Sequence, residues 1–210
     1  MKTKTFEREL PSGYRLAKHV NAKDAKIGLI MNLVALAVFL AVMAIAVFAA
    51  IIGDRFSNGI DISELMLAYL VFVVLLIAYI VAHELVHGIA YKSLTGEKLS
   101  FGISWSCAFC GVPNVYTYRK TALIALCAPL VVFGVLFIAL TVVFYFISPI
   151  FFLMFAAILG LHLGGCSGDI YIMYLFFVRY KGKETLMRDT GPEMSIYILE
   201  SNETQTEETK

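Results

Sequence analysis

The stretch Tyr79-Ile-Val-Ala-His-Glu-Leu-Val-His-Gly-Ile-Ala-Tyr91 carries two histidines four residues apart with a glutamate beside the first. On a helix this spacing puts His83 and His87 on one face, a turn apart, so both imidazoles can converge on one Zn²⁺ with Glu84 next to it. The chemistry such a group supports is metal-assisted hydrolysis, with Glu84 as general base. The stretch lies inside a long apolar run. An acid in a hydrocarbon-facing helix costs about 2.5–3.5 kcal/mol, so such residues serve a site or pair within a bundle. A hydrogen-bonded polar cluster joining helices is the alternative to a metal.

A third ligand has candidates in Gly160-Leu-His-Leu-Gly-Gly-Cys-Ser-Gly-Asp-Ile170. In a continuous helix His162, Cys166 and Asp169 follow at i, i+4 and i+7 and share a face. The glycines at 160, 164 and 168 would let that backbone approach another helix closely, as a short Asp side chain needs to reach a shared ion.

The elements that position these residues follow from composition. Hydrophobic residues make up 60% of the 210, and mean hydropathy is +0.79. Several apolar runs exceed the ~20 residues needed to cross a bilayer, so the expected fold is an all-α polytopic membrane protein with about four transmembrane helices. Their expected bounds are 27–52, 62–94, 121–147 and 150–178. Asp61 and Glu64 have capping-box spacing at the start of the second helix, and Gly96 is its stop signal. Pro129 should kink the third helix or split off its first piece. Ser148-Pro149 allows only a tight turn, which makes the third and fourth helices antiparallel neighbours. Between the second and third, residues 97–118 alternate apolar with small or polar residues around a Gly111-Val-Pro-Asn114 turn, a small β-hairpin-like segment at the interface or against protein.

Three segments result: a basic N-terminal piece, 1–26; a membrane core, 27–180; and a polar C-terminal piece, 181–210, strand-like at 195–199 and disordered beyond about 200. Basic residues concentrate in the two end segments and the middle one, which predicts four crossings of the cell membrane with both termini cytoplasmic. With the second helix centred near Ile77, His83 and His87 lie about 9–15 Å toward the cytoplasm. Asp169 falls about 7–8 Å to the same side and His162 beyond the midplane, so depth favours Asp169. A net charge of +1 gives no support to nucleic-acid binding.

Cys107 and Cys110 form one Cys-x-x-Cys without a second pair, and read as packing thiols on a reducing side. Cys127 and Cys166 stand in apolar helices, with Cys166 a further candidate ligand. His19, in the basic segment, is expected to be solvated.

His-Glu-Leu-Val-His-Gly88, Ala128-Pro129-Leu130, Gly168-Asp169-Ile170 and Arg188-Asp189-Thr190-Gly191-Pro192 together resemble the putative zincin peptidase family of small prokaryotic membrane proteins, over about residues 60–200. The layout is also similar to the core of site-two intramembrane metalloproteases. That resemblance implies His83, His87 and Asp169 as zinc ligands and Glu84 as the catalytic base. Those proteases usually place Gly after the Asp, whereas Ile170 follows Asp169 here.

The resulting expectation is a zinc metallopeptidase acting on membrane or membrane-proximal polypeptides, through a polar cavity between the second and fourth helices, with residues 97–118 holding an unwound substrate by strand addition. The alternative is a non-catalytic membrane protein, either a metal-binding transporter or an inactive relative that holds a partner helix. A purely structural site would use His83, His87, Asp169 and either His162 or Cys166. A His₂-carboxylate set with an open position also suits Fe(II).

Overall fold

A computed structural model describes residues 4–57, 59–103 and 108–200. Three long apolar helices dominate it: α1 (Ala25–Ile52), α2 (Ile62–Thr95) and α3 (Arg119–Ile147). Each is long and apolar enough to cross a membrane, and a bent pair forms up to one more crossing. That pair is α4 (Pro149–Gly165) and α5 (Ser167–Tyr174), the latter continued by a π-helical turn at Leu175–Arg179. The bend between the two halves is 41°. Their outward faces are rich in exposed Leu, Ile, Val and Phe, as a lipid-facing surface requires. The chain is a multi-pass membrane protein.

Local chemistry explains the helix ends. Asp24 accepts from the backbone N–H of Lys26 and Ile27 at the start of α1, and Asp61 from that of Ser63 at the start of α2. The reciprocal half of the expected capping box is missing, because Glu64 accepts from the Ser148 hydroxyl instead. Gly96 ends α2 at φ 70°, where a side chain would clash with the backbone. Ser148 caps α4 by accepting from the N–H of Phe151.

Two expectations are corrected here. α3 runs through Pro129 without splitting off a first piece. The fourth apolar run, read as one helix, breaks at Cys166, whose backbone has φ −72° and ψ 3°. Gly164, Gly165 and Gly168 crowd this point, and glycine lowers helix stability by about 1 kcal/mol per residue.

The end segments also differ from the all-α expectation. Strands β1 (Phe6–Glu7), β2 (Tyr14–Asn21), β5 (Tyr116–Tyr118), β6 (Thr185–Asp189) and β7 (Glu193–Leu199) form an antiparallel sheet in the order β1-β5-β6-β7-β2. The N-terminal and C-terminal segments thus pair directly, with Tyr14 opposite Leu199 and Asn21 opposite Glu193. His19 is exposed but bonded to Ser195 Oγ across this pair at 3.0 Å. The expected hairpin is corrected in its register: β3 (Ser100–Ile103) pairs with β4 (Ala108–Gly111), so Gly111–Asn114 follows the second arm instead of joining the two, and β5 belongs to the larger sheet. Trp105, Cys107 and the tail beyond Glu200 lie outside the described residues.

Sheet and bundle join through a buried cluster that includes Tyr91, Leu126, Ile172, Phe176, Met187 and Ile196. Each such side chain, fully buried, contributes about 1.5–3 kcal/mol. β2 leads into α1, α2 returns to the hairpin, β5 leads into α3 and the π turn returns to β6. All strands therefore gather at one end of the bundle, the end toward which α2 and α5 carry the site.

Candidate metal centre

His83 and His87 lie in the second half of α2 on its inward face, 8% and 6% exposed. Asp169, 9% exposed, stands in the first turn of α5. Its Oδ2 is 3.4 Å from His87 Nε2 and 3.7 Å from His83 Nε2. Ligands about 2.0–2.1 Å from a tetrahedral Zn²⁺ stand roughly 3.3 Å apart. The donor set and its spacing therefore fit an ion at the common focus of the three side chains.

The tautomers fit as well. His87 Nδ1 is 2.9 Å from the Ala125 carbonyl, which can only accept, so Nδ1 carries the proton. Nε2 is left as the nitrogen that faces Asp169 and would bind an ion. His83 Nδ1 lies 3.2 Å from the Tyr79 hydroxyl, which also lies 2.9 Å from His162 Nδ1.

The break at Cys166 decides which candidates meet. In a straight helix His162, Cys166 and Asp169 would share a face; here α5 turns Asp169 onto the histidine pair, while His162 points between α2 and α3. His162, Cys166 and His83 form a second group of buried ligand atoms within 4.8 Å of one another. The Cys166 sulfur is 3.8 Å from His162 Nδ1, the nitrogen that already faces Tyr79.

Glu84 and His83 line the same cavity, of about 510 Å³. Its walls come from α1, α2 and the α4–α5 break, with Ala108 of β4 and Pro192 closing the sheet side. The cavity between the second and fourth helices has a third wall, α1, which contributes Asn32, and its lining is mostly apolar where a polar one was expected. β4 runs past Glu84, with the Cys110 N–H toward its carboxylate. Burial pushes the Cys110 thiol up to about 12, which suits the packing role read from sequence.

Glycines admit these neighbours. A Cβ on Gly88 would stand 2.7 Å from the Phe101 ring, so the residue after His87 leaves room for the hairpin. A Cβ on Gly111 would stand 2.3 Å from the Gly191 nitrogen, where β4 meets the Asp189-Thr190-Gly191 turn backbone to backbone. Of the glycines in the fourth run, Gly160 and Gly164 press against α1, at Phe39 and Ala35, while Gly168 has open space.

Three functional contacts escaped the sequence reading: Tyr79 on His83, Pro129 through Ala125 on His87, and Tyr91 on Asp189. The Tyr91 hydroxyl donates to buried Asp189 at 2.7 Å, tying the end of α2 to the sheet. Their signal was present, since Tyr79, His83, His87 and Tyr91 recur every four residues along one helix face.

The fold and the cluster define a helical, multi-pass membrane protein with a buried His-His-carboxylate group suited to a metal. A family model described as putative zincin peptidase matches residues 76–185, and the chain belongs to that family. The matched segment contains His83, Glu84, His87, Pro129 and Asp169. The family implies zinc, and the His-containing groups are able to hold it. No curated protein and no solved structure matches the chain.

Proposed function

We propose that this protein is a membrane-embedded zinc peptidase that hydrolyses membrane or membrane-proximal polypeptides. The observation that carries the reading is the convergence of His83, His87 and Asp169 on one point, beside a cavity that His83 and Glu84 line. Zinc held by these three would polarise the scissile carbonyl and acidify water toward neutral pH. Glu84 takes the proton of the attacking water and delivers it to the leaving amine. As ligands both histidines would bind through Nε2, with His87 Nδ1 toward the Ala125 carbonyl and His83 Nδ1 toward the Tyr79 hydroxyl. The cavity, walled by α1, α2 and the α4–α5 break, has room for a peptide segment and water, and the β3–β4 hairpin offers an edge along which an unwound peptide can lie. The lysines and arginines around the sheet favour placing this end, with both termini, in the cytoplasm.

The test is zinc content of detergent-purified protein, with cleavage of a model transmembrane peptide on the same samples. Wild type and Glu84→Gln should hold zinc alike, with Glu84→Gln slower by about 10²–10⁴-fold. His83→Ala and Asp169→Ala should lose the ion. Zinc retained in Asp169→Ala but lost in Cys166→Ser would move the seat to His83, His162 and Cys166. No stoichiometric metal in any sample would sink the peptidase reading and leave a polar helix-packing cluster.

A further inference from the structure

We infer that Tyr79 and His162 are positioning residues, forming a relay from the Leu130 carbonyl that fixes the tautomer of His83; the functional part of this inference rests on the metal-centre reading above. The direction of the relay follows from its far end. His162 Nε2 is 3.3 Å from the Leu130 carbonyl oxygen, which can only accept, so the ring proton sits on Nε2. The lone pair of Nδ1 then faces the Tyr79 hydroxyl at 2.9 Å and accepts from it. With its proton committed, the phenolic oxygen offers a lone pair to His83 Nδ1 at 3.2 Å, which must donate. The His83 Nε2 lone pair is left directed at the side where Asp169 stands, 3.7 Å away. Reversing any one bond would set two lone pairs or two protons against each other.

The surroundings hold the relay in place. His162 is fully buried. Phe133 and Phe137 meet the His162 ring at 6.1 and 5.8 Å between centroids, and the Tyr79 ring at 5.3 and 5.4 Å. The α3 backbone at Gly134 packs beside the imidazole, where a Cβ would stand in ordinary contact, 3.7 Å from His162 Nε2. In so apolar a place an unpaired imidazole or phenol is costly, and the relay pairs both. It also accounts for the second ligand group of His83, His162 and Cys166: the Tyr79 hydroxyl already bonds the Nδ1 atoms of both histidines.

Without the relay, His83 would divide between tautomers, one of which presents N–H to the ion. Tyr79→Phe keeps the ring and its aromatic contacts and removes only the hydroxyl. Ring-nitrogen NMR of the metal-free protein, with His83 assigned by its loss in His83→Ala, should show a proton on Nδ1 in wild type, with or without a second on Nε2 toward Asp169, and partial loss of the Nδ1 proton in Tyr79→Phe. Zinc affinity by chelator competition should fall about 10–100-fold in Tyr79→Phe. His162→Phe should lose a similar factor, and the double variant little more, because the groups act in series. An Nε2–H tautomer at His83 in wild type, or an unchanged tautomer and affinity in Tyr79→Phe, would overturn the relay. Failure of the wild type to bind zinc would instead overturn the metal-centre reading, and the metal-free tautomer would still decide the relay.

Discussion

His87 Nδ1 donates to the backbone carbonyl of Ala125 at 2.9 Å, inside a helix where that oxygen would ordinarily be taken. It is available because the residue four positions on is Pro129, which has no N–H to offer. The proline therefore spares one carbonyl for the histidine, and α3 continues because its neighbours hold the backbone on either side.

Pro129→Ala restores the missing donor and makes it compete with His87 for Ala125. Zinc affinity should drop by about tenfold, at the low end of what losing such a supporting hydrogen bond costs. Thermal stability should hold or rise, since the helix gains a hydrogen bond. Chelator competition beside a melting curve checks both, and a parallel loss of stability would point to simple packing damage.

Gly164→Ala should destabilise the α1–α4 contact. The new Cβ would stand 2.7 Å from the Ala35 carbonyl oxygen, a backbone atom that cannot swing aside. Overpacking of this kind costs about 1–3 kcal/mol. Gly168→Ala, with open space around it, serves as the control, and both are read by unfolding in detergent.

Asp189 predicts a pH dependence. Burial raises its carboxyl from 3.8 to about 6, opposed by the hydrogen bonds from Tyr91 and the Gly191 N–H. A raised pKa favours the protonated form on folding, so its stabilising contribution is full below about pH 4 and is lost as pH rises through about 6. The span corresponds to about 3 kcal/mol at most. Asp189→Asn should remove this slope between pH 4 and 6 while wild type retains it.

Removing zinc should destabilise the protein by mass action. At a free concentration a hundred times Kd, a bound ion adds about 2.7 kcal/mol. Addition of a chelator should lower the melting temperature of wild type and of Glu84→Gln equally, and leave His83→Ala unmoved.

Much of the protein was legible along the chain because membrane helices announce themselves by length and apolarity. The bounds of α1 and α2, the Gly96 cap and the four-residue spacing of His83 and His87 all depend on neighbours within a few residues, whereas the alternation at 97–118 announced strands but not which of them pair. Depth along two helices was enough to favour Asp169 over His162 as the residue that meets the pair. The break at Cys166 was hidden, since a glycine-rich segment reads equally as a packing ridge or as a hinge, and only contact with α1 at Gly160 and Gly164 separates the two roles. The five-stranded sheet was hidden for a similar reason: strand character showed at 195–199, but pairing across more than 170 positions leaves no local mark.

The sequence by itself determined which residues have the type and spacing to hold a metal, because ligand type and helical spacing are properties of a few consecutive positions. The tertiary structure alone decided how they are held: Ala125 and Leu130 contribute backbone carbonyls, which have no side-chain identity to read, and Tyr79 meets His162 only after two distant helices pack. A tautomer depends on which acceptor lies opposite a ring nitrogen, and that is settled by packing between helices.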